Sequence, residues 1–350
     1  MKFENISGAG RAESPKLPRV QEVIVLGGYG RLGQQCVSEL VDTTRARIVV
    51  AGRNIQRAER VASRFGHRAR PAYANAEDPR TLQTLIPGAA AVLICSGGSW
   101  LAVLDSAIQT RVPFISLSPS LLEERVSLRL QQEAWRSQVP VILQAGAIPG
   151  LPGVLAELLM RRFPSLHEIR IASTGPWSET ELAKADQREL RRAGKLASNG
   201  RAALSERWRR SRWHFPEPIG ARWVRPARSL DLDGFAEAHC VDHLVYLEPD
   251  QGVLVRGVQQ VLQRDHELEF ALVAEGYDAE GKGSPQERLT LQSSDLLSVA
   301  AAAAGALTQR VLAGALPAGV LAQREALNPA LLLEALTKRD VRVVSSAGSL

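Results

Sequence analysis

The run VIVLGGYGRLG at residues 23–33 constrains the fold of this chain more than any other stretch. An apolar segment ends in glycines and continues as a helix-like pattern, and Gly28, Gly30 and Gly33 have the spacing G-x-G-x-x-G. Between a strand and a helix, this spacing is typical of a turn that binds a dinucleotide pyrophosphate at the helix N-terminus. We expect Gly28 to permit the tight turn and Gly30 to let the backbone approach the pyrophosphate. Gly33 would let the helix pack closely on the strand.

Short apolar runs alternate with helical patterns from residue 20 to residue 145, which is typical of a doubly wound parallel sheet covered by helices on both faces. The predicted strands lie at 23–27, 47–52, 67–73, 90–97, 112–118 and 139–146. The pattern changes after the Pro/Gly-rich AIPGLPG, where helix and strand patterns mix. We therefore predict an α/β protein with a flexible leader (1–19), a Rossmann domain (20–146), a mixed α/β domain for substrate binding and dimerisation (147–325), and a C-terminal segment (326–350) that packs back on the Rossmann domain.

The second predicted strand ends in Ala-Gly-Arg-Asn at residues 51–54, about where an NAD-binding domain usually has an acidic residue for the ribose hydroxyls. No carboxylate is present there to repel a 2′-phosphate. Arg53 can pair with that phosphate and stack on adenine, and Arg57 or Arg31 could add a second contact. The sequence therefore favours NADPH over NADH. The alternative is that Arg53 is only a solvated residue at the start of a helix.

Composition restricts the setting of the protein. The formal net charge is +6, and only six of the 43 basic residues are lysine, which fits either a solvated basic surface or attraction of an anionic ligand or acidic partner. Cys36, Cys95 and Cys240 are widely spaced and form no metal-binding or disulfide pattern, so we expect a reducing cytoplasm and no metal. No apolar stretch approaches the roughly 20 residues that span a bilayer.

The order of the motifs resembles the saccharopine dehydrogenase-like family, of the saccharopine reductase type. The matching segments are GGYGRLG, AGRN, VLICSGGSW, VPFISLS, VPVILQAGAIPGLPGVLAELL, FPEPIGARWV and LAGALPAGVLAQREALNPALLLEAL, and together they cover most of residues 20–340. The resemblance implies a Rossmann domain joined to a second α/β domain, often as a homodimer. It also implies NADP(H) in the cleft and hydride transfer at a carbon–nitrogen bond.

The resemblance also implies positions for the cofactor. Asn75 stands where such proteins often have an aspartate against the adenine, and Ser96, Gly97 and Gly98 would lie beside the nicotinamide ribose. The turn from Gly146 to Gly150 would lie near the nicotinamide ring. The residues expected to contact the cofactor are Gly28, Tyr29, Gly30, Arg31, Leu32, Gly33, Arg53, Asn54, Asn75, Ser96, Gly97, Gly98 and Gly146.

In the reduction of an imine, the cofactor supplies the hydride. The protein has to orient the C=N carbon and provide a proton, and it need not form a covalent intermediate. The candidate proton donors are Tyr246, His243, Asp242, His239, His214 and Lys184. In HCVDHLVY, strand alternation would place His239 and His243 on one face and Asp242 and Tyr246 on the other, which disfavours a metal site. Structural polar positions, and proton delivery by solvent, stay open as alternatives.

Four of the six tryptophans lie between residues 175 and 224, and two of them are interleaved with arginines in ERWRRSRWHF. This pattern fits an aromatic wall with a basic rim over a substrate cleft, a nucleic-acid patch, or a helix whose tryptophans pack inward. We expect substrate contacts from Trp100, Pro149, Trp177, Trp208 and Trp213.

The leading hypothesis is an NADPH-dependent imine reductase. A cyclic imine such as a thiazoline on an acidic carrier protein, in siderophore or other natural-product biosynthesis, is the specific hypothesis. The alternatives are a saccharopine-like linear amino-acid imine and a catalytically silent NADP-binding protein. Nucleic-acid binding is disfavoured.

Overall fold

A computed structural model describes residues 21–97, 100–118, 121–174, 210–250, 270–278 and 285–346. Two sheets organise these residues, and each has seven strands. None of the helices in these ranges is long and apolar enough to cross a membrane.

The first sheet is wholly parallel, as the alternating sequence pattern predicts, with the strand order β13-β6-β5-β4-β1-β2-β3. Its strands are β1 (Glu22–Leu26), β2 (Arg47–Gly52), β3 (Ala69–Tyr73), β4 (Ala91–Ile94), β5 (Phe114–Ser116), β6 (Pro140–Leu143) and β13 (Gly319–Ala322). The helices that connect them are α1 (Arg31–Thr43), α2 (Ile55–Ala62), α3 (Pro79–Leu85), α4 (Leu101–Gln109) and α5 (Leu121–Arg136).

Strand alternation divides the apolar residues of the first sheet between two cores. In β1, Val23 and Val25 join a cluster with residues of α1 and α2, whereas Ile24 and Leu26 join a cluster with residues of α3 and α4. Both faces are therefore buried, which explains why these strands are continuous apolar runs rather than alternating ones. Burial of each large aliphatic side chain contributes roughly 1.5–3 kcal/mol.

The second sheet is mixed, with the order β14-β12-β11-β7-β10-β9-β8, in which β7 and β10 are parallel and the other neighbours antiparallel. Its strands are β7 (Glu168–Ser173), β8 (Ser211–His214), β9 (Ala221–Ala227), β10 (His243–Pro249), β11 (Phe270–Tyr277), β12 (Glu287–Ser293) and β14 (Arg342–Ser345). The accompanying helices are α6 (Leu151–Arg162), α7 (Phe235–Ala238), α8 (Leu296–Leu312), α9 (Gln323–Ala326) and α10 (Pro329–Thr337).

One hydrophobic cluster joins the two sheets. It contains Val23 of the first sheet, Ile171 of the second, and the buried alanines at 300–304 of α8. Alanine side chains are short, so α8 lies close to α1, and a Cβ on Gly305 would come within 2.7 Å of the Cγ of Glu39. The Ala-rich helix therefore connects the two domains.

Two short strands depart from the expected division of the chain. β13 lies within 147–325 but pairs with β6 in the first sheet, and β14 lies within 326–350 but pairs with β12 in the second. Each strand has only four residues, and such a short apolar segment does not reveal which sheet it will join. The pairing depends on contacts with strands that are distant in sequence.

Candidate functional site

The glycine-rich turn connects β1 to α1 at the carboxyl edge of the first sheet, next to the central strand. Gly27 has a φ of +81°, and its N–H donates to the carbonyl of Ala51 at 2.9 Å. The left-handed residue of the turn is therefore Gly27, one position before Gly28. Gly28 is required for a different reason, because a Cβ there would lie 2.9 Å from the carbonyl oxygen of Val25.

Gly33 and Gly30 differ in what surrounds them. A Cβ on Gly33 would lie 2.1 Å from the carbonyl oxygen of Gly27, so the helix approaches the strand closely only with glycine there. On Gly30, the nearest atom to a Cβ would be the same oxygen at 3.2 Å. Gly30 caps α1 without a side-chain hydrogen bond, and the first turn of α1 holds no acidic residue. The positive end of the helix is therefore available to an anion.

Tyr29 forms one wall of the site beside the end of β2. Its hydroxyl accepts a hydrogen bond from the N–H of Asn54 at 3.2 Å, and a Cβ on Gly52 would lie 2.4 Å from the Tyr29 ring. The guanidinium of Arg57 lies 4.9 Å from the centre of that ring, within cation–π range. Arg53 is exposed at the same end of β2. The side chain of Asn54 accepts from the N–H of Arg57 at 2.9 Å, so it caps α2.

A basic cleft lies between α1 and α2, with a volume of about 260 Å³. Its lining residues are Tyr29, Gln34, Arg57, Arg60, Val61 and Arg64. Arg57 and Arg60 lie three residues apart on α2, and Arg64 lies in the 3-10 helix that follows it. None of the three pairs with a carboxylate among the described residues. Arg64 donates to the side-chain oxygen of Gln34 at 2.9 Å. Sequence reasoning included Arg57 but missed Arg60 and Arg64, although their spacing of three and four residues could have indicated a shared face.

The other residues predicted near the cofactor lie at the ends of neighbouring strands. Ser96, which follows β4, is adjacent to the glycine turn, since a Cβ on Gly27 would lie 2.9 Å from the Cβ of Ser96. Asn75 follows β3, but its side-chain oxygen accepts from the N–H of Glu77 at 3.2 Å and so stabilises its own loop.

The other residues predicted to contact the cofactor lie partly on the surface and partly against the core. Gly97 is exposed after β4, and Arg31 is exposed at the first position of α1. Leu32 packs against the core. Gly98 lies outside the described residues.

The turn at residues 144–150, hereafter the β6–α6 turn, is densely packed. A Cβ on Gly146 would lie 3.1 Å from the carbonyl oxygen of Leu117, which follows β5. Gly150 has a φ of +135°, and the side-chain oxygen of Gln323 lies 2.1 Å from where its Cβ would be. Pro149 is buried within this turn. The turn therefore lies next to the ends of β5 and β6, on the side of the central strand opposite to the arginine cleft.

Asp231 holds this turn from the second domain, and sequence reasoning missed it. Its carboxylate accepts a hydrogen bond from the N–H of Gly153 at 2.5 Å, another from the hydroxyl of Ser229 at 2.5 Å, and one from the N–H of Gly150. Burial raises the pKa of this carboxyl, and the hydrogen bonds oppose that rise. Asp231 thus caps the N-terminus of α6. No local pattern in SLDLDGF indicates this role, because the main-chain partners at Gly150 and Gly153 are about 80 residues away.

Two of the predicted proton donors are engaged in side-chain contacts of the second domain. Tyr246 is 4% exposed, and its hydroxyl forms a hydrogen bond of 2.8 Å with Ser173. Asp242 pairs with Nδ1 of His167 at 2.6 Å, and the ring of His243 lies 5.0 Å from that of His167.

The expected alternation of His239 and His243 on one strand is wrong. β10 begins at His243, whereas His239 ends helix α7 and pairs with Glu157 at 3.0 Å. A short helix precedes the strand because Phe235 is buried there, stacked on the ring of His239. His214 is exposed on β8, and Lys184 lies outside the described residues.

Of the predicted aromatic substrate contacts, the two that are described are core residues. Trp213 is 7% exposed on β8 and packs with Phe215 and Val224, and Trp100 is 2% exposed with its ring 5.7 Å from that of Phe114. The role predicted for both as substrate contacts does not fit this burial. The arginine- and tryptophan-rich stretch forms strands from residue 211, not a helix. Trp177 and Trp208 lie outside the described residues.

A parallel sheet in this strand order, with a glycine-rich turn after its central strand, defines a Rossmann dinucleotide-binding domain. The attached mixed sheet makes the protein a two-domain member of that class. Residues 23–146 match the family described as the saccharopine dehydrogenase NADP binding domain. This match agrees with the family resemblance that the order of motifs predicts.

One solved structure has a similar fold over nearly the whole chain. The structure is similar to the apo histidine-tagged saccharopine dehydrogenase (L-Glu forming) from Saccharomyces cerevisiae, with a TM-score of 0.64, 14% identity, and coverage of 93% of this chain and 99% of that one. A probable dehydrogenase from Thermotoga maritima matches with a TM-score of 0.49 and 13% identity, over 93% of this chain and 98% of that one. No curated protein matches the sequence. The chain thus shares the fold of the yeast enzyme over nearly its whole length.

Proposed function

We propose that this protein is an NADPH-dependent reductase that acts on a carbon–nitrogen double bond. The choice of NADPH is based on the cleft between α1 and α2. Arg57, Arg60 and Arg64 line this cleft together with Tyr29, and no carboxylate is among its lining residues. The guanidinium groups there can bind the 2′-phosphate of NADPH. The two ribose hydroxyls of NADH would have no carboxylate to accept their hydrogen bonds.

The residues present fit a dinucleotide. The free N-terminus of α1 and the open space at Gly30 would hold the pyrophosphate, and Arg53 with Arg57 would hold the 2′-phosphate. Ser96 would lie beside the second ribose, and the β6–α6 turn would lie against the nicotinamide. When bound, NADPH supplies a hydride for the substrate carbon. The protein's task is to orient the C=N carbon and exclude competing water.

We propose that solvent delivers the proton to the reduced nitrogen. Tyr246 is buried against Ser173, His239 pairs with Glu157, and Asp242 pairs with His167. These contacts give the side chains structural roles within the second domain. Proton delivery by solvent requires no dedicated acid.

For the substrate, we propose a cyclic imine such as a carrier-bound thiazoline. The support is the arginine-rich composition, which suits an acidic carrier protein, together with the resemblance to reductases of C=N bonds. A linear imine formed from an amino acid and an oxo acid is the second candidate. The overall similarity to saccharopine dehydrogenase favours it. A homodimer is the assembly that the resemblance suggests.

The decisive experiment compares the binding of NADPH and NADH by fluorescence titration in the wild-type protein, in Arg57→Ala and in Arg45→Ala. Arg45 is an exposed arginine at the opposite end of β2 and serves as the matched control. We expect Arg57→Ala to weaken NADPH binding about tenfold, as loss of one charge-assisted contact does, and to leave NADH binding unchanged. Equal losses for both cofactors would contradict the 2′-phosphate role.

Turnover then identifies the substrate class. NADPH oxidation is followed by absorbance with a thiazoline on its carrier protein, the free thiazoline and a linear amino-acid imine. Turnover with the carrier-bound ring alone would support the carrier hypothesis, and turnover with the linear imine would favour the second candidate. Tight NADPH binding without any turnover would favour a catalytically silent NADP-binding protein.

A further inference from the structure

Gln323 is the first residue of α9, and its side chain is fully buried. Neither the nitrogen nor the oxygen of its amide has a hydrogen-bond partner as oriented. A buried amide without partners is destabilising, so such groups are nearly always hydrogen-bonded in native proteins. The position of this side chain shows which partners are within reach.

The pairing of β13 with β6 brings Gln323 to the β6–α6 turn. Ala322 pairs with Leu143, so Gln323 and Gln144 leave adjacent parallel strands side by side. Three oxygens converge on the point where a Cβ of Gly150 would lie. The Gln323 side-chain oxygen is 2.1 Å from that point, the Gly146 carbonyl oxygen 2.4 Å, and the Gln144 carbonyl oxygen 2.5 Å.

Three acceptors that face one another repel, and the chemistry of the glutamine amide offers the remedy. Its nitrogen and oxygen have almost the same shape, and their assignment follows from the partners that they meet. With the nitrogen toward Gly150, the NH₂ group faces the carbonyls of Gln144 and Gly146 and has one hydrogen for each of them. Both carbonyls then gain a donor.

The backbone at this turn is one that needs such support. Gln144 has a φ of +55°, a left-handed conformation that side-chain-bearing residues adopt at a cost, and Gly150 has a φ of +135°. Such conformations persist only where the surroundings impose them. Asp231 accepts hydrogen bonds from the N–H groups of Gly150 and Gly153 on one side of the turn. The carbonyls of Gln144 and Gly146 lie on the side of the turn that faces Gln323.

We infer that Gln323 is a positioning residue, whose side-chain amide donates hydrogen bonds to the carbonyls of Gln144 and Gly146 and fixes the β6–α6 turn. Its consequence for the cofactor rests on the proposed function, in which the nicotinamide lies against this turn. Gln323 then acts on the placement of the ring and not on the adenine half of the cofactor, which lies across the sheet.

The first experiment tests the turn itself, without cofactor. Hydrogen–deuterium exchange is compared over residues 144–155 in the wild-type protein, in Gln323→Met and in Gln309→Met. Methionine keeps the length of the side chain and removes the amide. Gln309 is the matched control, because its amide donates to the Thr43 carbonyl at 2.8 Å, far from the turn. We expect exchange at 145–151 to accelerate at least tenfold in Gln323→Met alone. Wild-type exchange in that variant would overturn the inference.

The second experiment tests the consequence for ligand placement. Loss of two neutral hydrogen bonds should weaken NADPH binding about 5- to 30-fold in Gln323→Met. Binding of 2′-phospho-ADP-ribose, which lacks the nicotinamide, should not change. Equal weakening of both ligands would show a general structural role and would overturn the assignment.

If wild-type protein binds neither ligand, the proposed function fails, and hydrogen exchange still decides the role of Gln323. Should Gln323→Met not fold, Gln323→Leu replaces it. Its side chain has a similar size but no hydrogen to donate to the two carbonyls, so the same acceleration of exchange is expected.

Discussion

The carboxylate of Asp231 accepts a hydrogen bond from the main-chain N–H of Gly153 at 2.5 Å, although 78 positions separate the two residues in the sequence. Glycine is needed at 153 because a Cβ there would lie 3.0 Å from the same carboxylate. A side chain of the second domain thus caps the helix that follows the β6–α6 turn. The conformation of a surface assigned to the first domain depends on the second.

Replacement of Asp231 with alanine should destabilise the protein. The substitution leaves the N–H groups of Gly150 and Gly153 and the hydroxyl of Ser229 without their acceptor in a buried place. We expect the free energy of unfolding to fall by about 2–4 kcal/mol in urea titrations. Asp42→Ala is the control, since Asp42 is largely exposed and lies 3.6 Å from Arg339. A loss in Asp231→Ala no larger than in the control would contradict the capping role.

Asp231 should also leave a signature in the pH dependence of stability. Burial raises the pKa of its carboxyl, so the folded protein binds the proton at a higher pH than the unfolded chain does. The stability of the wild type relative to Asp231→Asn should therefore increase as the pH falls through the raised pKa, and level off below the ordinary aspartate value. Urea titrations of both proteins across this pH range measure the difference. A constant difference would show that the carboxyl does not titrate on unfolding.

Glu22 should show the opposite pH dependence. Two hydrogen bonds from Arg70, at 2.6 and 2.7 Å, lower the pKa of its carboxyl. The stabilisation is present above the ordinary glutamate pKa and is lost as the pH falls through the lower pKa of the folded state. We expect Glu22→Gln to reduce the free energy of unfolding by about 1 kcal/mol at pH 7, because the pair is partly exposed. The deficit should vanish in acid. A deficit that persists there would point to lost packing instead.

Alanine at Gly30 and alanine at Gly33 should have different effects. At Gly33, a Cβ would collide with the carbonyl of Gly27, so the variant should unfold at lower temperature and lose NADPH binding as well. At Gly30, the nearest atom would be 3.2 Å away, so the unfolding free energy should stay within about 1 kcal/mol of the wild type. The methyl group would still obstruct the pyrophosphate and weaken NADPH binding at least tenfold. Thermal unfolding and fluorescence titration on each variant separate the two effects.

Tyr246→Phe should reduce the stability of the protein and leave proton transfer to the substrate unchanged. The hydroxyl is buried against Ser173, and its removal should cost about 1 kcal/mol of unfolding free energy. The pH profile of turnover with an imine substrate should match that of the wild type. Turnover that is slower by about two orders of magnitude, at unchanged NADPH affinity, would instead make Tyr246 the proton donor.

The glycine turn shows how far local sequence reasoning reaches. The strand, the helix and the role of Gly33 follow from spacing, because glycine is needed wherever backbone approaches backbone. The position of the left-handed residue does not follow, since Gly27 and Gly28 are adjacent and both lack a side chain. Only the path of the chain between Val25 and Ala51 decides which of them turns.

The aromatic residues show where that reasoning ends. From the sequence alone, Trp100 and Trp213 suggest a ligand-binding surface, but both are buried in hydrophobic cores. A tryptophan is equally suited to a core and to a cleft, so residue type alone cannot distinguish them. Burial depends on which sheet covers the side chain.

The sequence by itself determined the elements whose cause is local: the apolar strands, the amphipathic helices, the parallel first sheet and the glycine turn that closes over a helix N-terminus. The tertiary structure alone decided which residues meet across long separations. Asp231 reaches the N-terminus of α6 from 78 positions away. Gln323 reaches the β6–α6 turn because β13 pairs with β6 in the first sheet. Periodicity records only which face of an element is apolar. The partner of that face is selected by the packing of the whole chain.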